Sequence, residues 1–444
     1  MNGRGQTGSM LRTAACLIAA TIAPAHAAPH DTAAGLAPSF RMSGDVSAEL
    51  SYVVNSSDTA LVPGSYETTY LSGMRMSSLT GVLRLNGTYQ KLDAEVSVVG
   101  AQLIMPPDPT RSTQRRNKYS FNRLLTAYGA YSFGDADAPQ ARLSIGYFPF
   151  SYSGQTRSLG SYLFRSGTYP GYVFSGDSTA YLAGLHFETS LPGILRHDLF
   201  LTTEVEWDPQ YDVSLSYLAR IGVDKPFEFD AGVFFDRLVP VYSFKTSPEE
   251  LPHLNGTIIE AGGEGDTVYY TKQGVRLMGR FRADLKHFFT SERFSPQDLV
   301  VYTEAALLGV KNYPGFYDDV TERVPAMIGF NIPTARILDV LSVELEYYGS
   351  PWRNDPSHAR PKPYENYAYE TITYASEGTG WRGTRNDYKW HVYAQRTLLT
   401  HITVSARVAS DHLRGLTSDG SIYPYERLHG YDEWYWSIGA RVSF

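Results

Sequence analysis

Hydrophobic and polar residues alternate one by one along most of this chain. From Trp434 to Phe444, residues Trp434, Trp436, Ile438, Ala440, Val442 and Phe444 fall on one side, and Tyr435, Ser437, Gly439, Arg441 and Ser443 on the other. Near the opposite end Phe40, Met42, Gly44, Val46, Ala48, Leu50 and Tyr52 alternate with Arg41, Ser43, Asp45, Ser47, Glu49 and Ser51. A period of two places successive side chains on opposite faces of a β-strand. The same pattern predicts strands over 40–54, 69–89, 91–104, 121–133, 140–150, 178–190, 197–208 and 211–222. It continues over 226–237, 267–287, 297–310, 322–332, 338–349, 386–396, 400–410 and 431–444. That count is sixteen, with fourteen and eighteen as the neighbouring even alternatives.

The connections fall into two groups. Short ones near Gln90, Gly134, Leu191, Asp224, Thr290, Pro333 and Arg396 lie at one end of the strands. Long ones over 151–177, 238–266, 350–385 and 411–430 lie at the other. Short turns on one side, long loops on the other and an even strand number are the signature of a transmembrane antiparallel β-barrel. The fold class read here is therefore all-β, with apolar residues against lipid and polar residues toward a lumen. A large soluble β-protein or surface adhesin also alternates and is the competing class. No 20–50-residue repeat occurs, which argues against a propeller or solenoid.

Composition sharpens this picture. The chain carries 33 Tyr, 21 Phe and 6 Trp, yet its mean hydropathy is −0.27, as expected when lumen residues dilute a lipid-facing band. Residues 1–27 read as a cleaved secretory signal: Arg4 and Arg12, an apolar run from Ala14 to Ala23, then Ala25-His26-Ala27 as a cleavage site. The run is shorter than the roughly 20 apolar residues needed to span a bilayer. A lipoprotein signal at Cys16 is the alternative, disfavoured because Thr13 stands where an aliphatic residue belongs. Residues 28–39 are expected to form a short leader and 40–444 the barrel. Cleavage removes the only cysteine and moves the formal charge from −7 to −9. An acidic mature chain without a basic patch argues against a nucleic-acid partner.

The candidate lumen charges are Arg276, Arg280 and Arg282 on one strand, Glu204 and Glu206 on another, then Glu228 with Asp230, and Glu344 with Glu346. Arg407 and Arg441 point inward on the last two strands. Opposed rows of acid and base set a transverse field that sorts small solutes by charge. The bland alternative is that these groups pair across the lumen and fill it. The 350–385 loop carries Trp352, Tyr364, Tyr367, Tyr369, Tyr374 and Trp381, which suit sugar rings but equally suit self-packing, while Trp207, Trp390, Trp434 and Trp436 read as an interfacial belt. His186, His197, His287, His391 and His401 sit in no Gly-x-Ser-x-Gly or His-Glu-x-x-His phrase, so they are read as lumen residues. Asp135 and Asp137 read as turn formers and Gly262-Gly263-Glu264-Gly265 as a loop tip. No catalytic residue, metal site or cofactor is expected.

In pattern and topology, residues 40–444 resemble the Gram-negative porin superfamily, with no family-specific motif. The final strand resembles those whose terminal aromatic, here Phe444, is read by the barrel-assembly machinery. The resemblance implies an integral outer-membrane protein in contact with outer-membrane lipid and lipopolysaccharide, passing small hydrophilic solutes by passive diffusion. It also allows a homotrimer, although no residue marks a subunit interface. In sixteen-stranded porins the third outer loop folds into the barrel, which makes 151–177, with Arg157, Arg165 and Asp177, the constriction candidate. General porins carry a Pro-Glu-Phe-Gly-Gly stretch and acidic residues there, and this loop does not; an ordinary surface loop is the alternative. Two other functions compete: a sugar-selective channel using the aromatic loop, and a barrel enzyme acting on lipid or lipopolysaccharide.

Overall fold

The computed structural model describes residues 37–444 apart from 57–58, 62–67, 71, 74, 106–116, 135–138, 165–178, 192–193, 204, 206–210, 240–255, 261–266, 272–273, 290–292, 311–323, 349–386, 412, 417–421, 427 and 429–430. Sixteen strands form one closed antiparallel barrel. They are β1 (Ser39–Asn55), β2 (Arg75–Tyr89), β3 (Leu92–Met105), β4 (Asn117–Gly134), β5 (Pro139–Phe150), β6 (Ala180–Leu191), β7 (Leu195–Thr203) and β8 (Val213–Ile221). The second half comprises β9 (Phe227–Val239), β10 (Gly274–Asp284), β11 (Val300–Leu307), β12 (Ala326–Asn331), β13 (Val340–Tyr348), β14 (Asp387–Leu398), β15 (Ile402–Ser410) and β16 (Trp434–Ser443). Each strand pairs with its sequence neighbours, and β16 closes the ring on β1. At the seam Gly44 and Phe444 exchange two main-chain hydrogen bonds of 2.9 Å, so the last residue completes the ladder.

Alternation does here what the hydrophobic effect would forbid in water. Leu85, Ile145, Leu199, Leu277, Ile328 and Leu345 are exposed on the outer wall, while their sequence neighbours turn inward. Exposed aliphatic side chains spread over every side of a closed sheet define a surface made for hydrocarbon. Aromatic pairs edge this band at both rims. Tyr52 with Trp436 and Tyr347 with Tyr388 stand near the long loops, and Tyr131 with Phe133 and Phe229 with Phe281 near the short turns.

The sixteen predicted strands all have observed counterparts, with two instructive differences. The predicted strand over 69–89 divides into β2 and the arm Thr68–Tyr70 of a small hairpin, with a turn at Gly73 (φ +84°) between them. The predicted strand over 267–287 divides likewise: Thr267–Thr271 pairs with Gly256–Glu260, β10 begins at Gly274, and Leu285–Phe288 is a 3₁₀ turn capped by Asp284. In both places alternation runs straight through the junction, so periodicity alone could not mark it.

Inside the barrel lies an apolar cluster that a water-filled tube would not contain. Phe148, Phe150, Phe200, Leu218, Phe234, Met278, Tyr302 and Met327 from the wall surround Tyr152, Leu159, Tyr162, Leu163 and Phe164 from the segment after β5.

Candidate functional site

The segment 151–164 leaves the end of β5 and enters the lumen. It has no ladder to satisfy its backbone, and buried N–H groups without acceptors are costly. The opposite wall supplies those acceptors as carboxylates. Glu304 on β11 accepts from the N–H of Ser161 (3.0 Å) and Tyr162 (2.6 Å) and from the Tyr152 hydroxyl (2.7 Å). Glu344 on β13 accepts from the N–H of Arg157 (2.7 Å), Ser158 (3.3 Å) and Leu159 (3.3 Å), and from the Tyr302 hydroxyl (2.8 Å). His391 stands 3.4 Å from its second oxygen. Glu346 accepts from the Tyr162 hydroxyl (2.6 Å). Bonds to an ionised acceptor are the stronger kind and offset the cost of burying the charge.

Further contacts fix the segment at its flanks. Ser158 donates to Asp411 (2.6 Å), which also accepts from Tyr435 (2.8 Å). Gln155 accepts from Arg280 (2.7 Å). Leu163 rests against Gly232 on β9, where a Cβ would come within 2.6 Å of it. Phe164 packs edge-on to Phe200 and Phe234. Gly160 (φ +80°) and Ser161 (φ +60°) make the sharp bend that presents two successive N–H groups to Glu304.

Two groups outside the strands have shifted proton affinities. Burial, and then the negative charge of Glu304, push the Tyr152 phenol well above the usual tyrosine range, which keeps it a donor. Burial alone would raise the Asp411 carboxyl. The Arg407 charge, His391 and hydrogen bonds from Ser158 and Tyr435 together outweigh it and hold Asp411 below the usual carboxylate range.

The predicted lumen residues fall into distinct groups. Arg280 meets Asp230 (2.5 Å) and Glu228 (3.2 Å), Arg276 meets Asp236 (3.2 Å), and Arg282 lies between Asp284 (3.6 Å) and Glu228 (3.9 Å). Arg407 is buried against Tyr435 (3.3 Å). Arg441 stands open at the short-turn mouth, 61% exposed and 4.0 Å from Asp45. Glu344 and Glu346 are buried beneath the segment. Arg157 lies with its guanidinium 5.2 Å from the ring centre of Tyr393 on β14. Glu204, Glu206, Arg165, Asp177 and the aromatic 350–385 loop lie outside the described residues.

Sequence reasoning missed Glu304, though it shares an inward face with Val300 and Tyr302; its acidity was the available signal. It also missed the buried group of His186, Asp198 and Arg220 (His186–Asp198 2.9 Å, Arg220–Asp198 2.6 Å). Of the five histidines singled out, His186 and His391 face inward, whereas His197 faces outward and bonds Tyr217. His186, Glu188 and Asp198 have ligand atoms within 4.8 Å of one another. Arg196 on Glu188 and Arg220 on Asp198 already neutralise those carboxylates, which makes the set an ion-pair network rather than a seat for a cation.

These features define a class: a closed sixteen-stranded antiparallel barrel with an apolar outer wall, crossed inside by its own chain. No family model and no curated protein matches the sequence. Among solved structures, two mutants of the Rh. blastica porin align over 91% of this chain and 100% of theirs, with 10% and 11% identity and a TM-score of 0.43 each. That likeness is one of barrel outline.

Proposed function

We propose that this barrel is an outer-membrane channel for passive diffusion of small hydrophilic solutes, exported by the secretory signal at residues 1–27. In this reading, segment 151–164 confines the water path to one side. The observation that carries it is the uneven exposure of inward charges. Beneath the segment the Arg280 and Asp230 side chains are 2% and 0% exposed. Along β2, β3 and β5 on the other side, Arg84, Asp93 and Arg142 are 34%, 40% and 38% exposed. Water-reached charges on one wall and dry ion pairs on the other suit a narrow lane rather than a wide pore. Arg280, Glu344 and Glu346 then serve to seat the segment, Glu228 and Asp230 hold Arg280, and the lane takes its charge from other residues. Refolded full-length protein in planar bilayers tests this: discrete ohmic steps are expected, and a membrane that stays non-conducting at every protein dose would refute it.

A further inference from the structure

We infer that the channel prefers small anions, and that Arg157 is the residue that sets the preference. This rests on the channel reading and deepens it. The mature chain is acidic overall, so counting charges predicts cation preference. The geometry points the other way. The three wall glutamates nearest the crossing segment, Glu304, Glu344 and Glu346, are buried; Glu304 and Glu344 accept from backbone N–H groups and tyrosine hydroxyls, with His391 beside Glu344, and Glu346 accepts from the Tyr162 hydroxyl. The negative charge of Glu304 and Glu344 is thus tied up in hydrogen bonds to the segment and shielded from the lane. What the segment presents on its far side is a cation. The Arg157 backbone is pinned by Glu344, and its guanidinium stacks on Tyr393. Among the described residues Arg157 forms no ion pair, and its Nε has no hydrogen-bond partner.

The neighbouring wall adds donors. Tyr393 gives its hydroxyl hydrogen to the Gln395 oxygen (2.8 Å), which orients the Gln395 amide and leaves its N–H₂ group without a partner among the described residues. A guanidinium placed over an aromatic ring keeps its terminal N–H groups for a ligand, although the Arg157 Nε itself is buried. Beside an unengaged amide donor, it suits a carboxylate or a comparable small oxyanion. The segment's attachment thus decides selectivity twice: it hides the acids and it aims the base.

The test is the reversal potential of the refolded full chain across a salt gradient, with potassium chloride and then potassium acetate. The native protein is expected to pass anions over cations. Arg157→Gln should lower the anion-to-cation permeability ratio by roughly threefold, the order expected of one unit charge a few ångströms from a solvated path. Arg157→Glu should invert the ratio, and Arg157→Lys should restore most of it. Unboiled gel migration confirms that each variant retains a closed barrel. Cation preference in the native protein, or an unchanged reversal potential in Arg157→Gln, overturns the assignment while leaving the channel intact. Absence of any conductance would instead refute the channel itself.

Discussion

Removing the Glu344 carboxylate should release segment 151–164 without opening the barrel. Two short bonds converge on one of its oxygens, from the Arg157 N–H at 2.7 Å and the Tyr302 hydroxyl at 2.8 Å. Tyr302 belongs to the wall, so of these two only the Arg157 bond holds the segment; a bond to a charged acceptor contributes about 1.5–3 kcal/mol, and Glu344→Ala should weaken docking by about that much. At about 1.4 kcal/mol per tenfold, the ratio of docked to undocked segment falls by roughly 10–10². Glu304 and the burial of Leu159 and Leu163 still oppose release, so the segment should open transiently. Ser161 offers a reporter: it is buried, its hydroxyl lacks a partner, and cysteine is close to it in size. The sole native cysteine, Cys16, lies in the expected secretory signal. Maleimide labelling of Ser161→Cys should accelerate by roughly tenfold or more when Glu344→Ala is added. Glu344→Gln should fall between, because its remaining oxygen can still serve Arg157 and Tyr302. Equal labelling rates in both backgrounds, with the barrel intact by gel migration, would refute the latch.

Gly232→Val should push Leu163 off β9, at an overpacking cost of about 1–3 kcal/mol; the readout is larger single-channel conductance, and an unaltered step size counts against the contact. Asp198→Ala leaves Arg220 buried without its partner and should cost about 3–5 kcal/mol, seen as a lower temperature for conversion of the folded to the unfolded gel band. A conversion temperature equal to the native one would show that the ion pair is dispensable. Asp411 has its folded affinity for protons lowered, so its stabilisation is present at neutral pH and disappears as pH falls through that depressed value, below the ordinary carboxylate range. Asp411→Asn should remove this acid-dependent component; parallel loss of stability with falling pH in native and variant proteins would contradict the assignment.

The wall of the barrel was legible because each strand records its environment locally: Leu277, Phe281 and their polar neighbours Arg276, Arg280 and Arg282 state the two faces without reference to any other part of the chain. Junctions were harder. Thr267–Thr271 and β10 share one alternating phase, and only three-dimensional pairing separates them. The interior was the least legible part. Glu344 reads identically whether it faces water or a backbone N–H, since that depends on a loop some 190 positions earlier in the chain. The loop itself, rich in Ser, Gly and Tyr, has the composition of an exposed connection. Its burial follows from the coincidence of its N–H and hydroxyl groups with carboxylates on two strands, β11 and β13, and in the turn after β15, which no local window contains.

In the ring of sixteen, β5 and β13 stand eight places apart in either direction, so the chain runs along a diameter. A hoop with a spoke resists being squeezed into an oval along that line and yields more readily at right angles to it. Lateral pressure from the surrounding lipid should therefore distort this cylinder in one direction only, narrowing or widening the space beside the spoke while the line from β5 to β13 keeps its length.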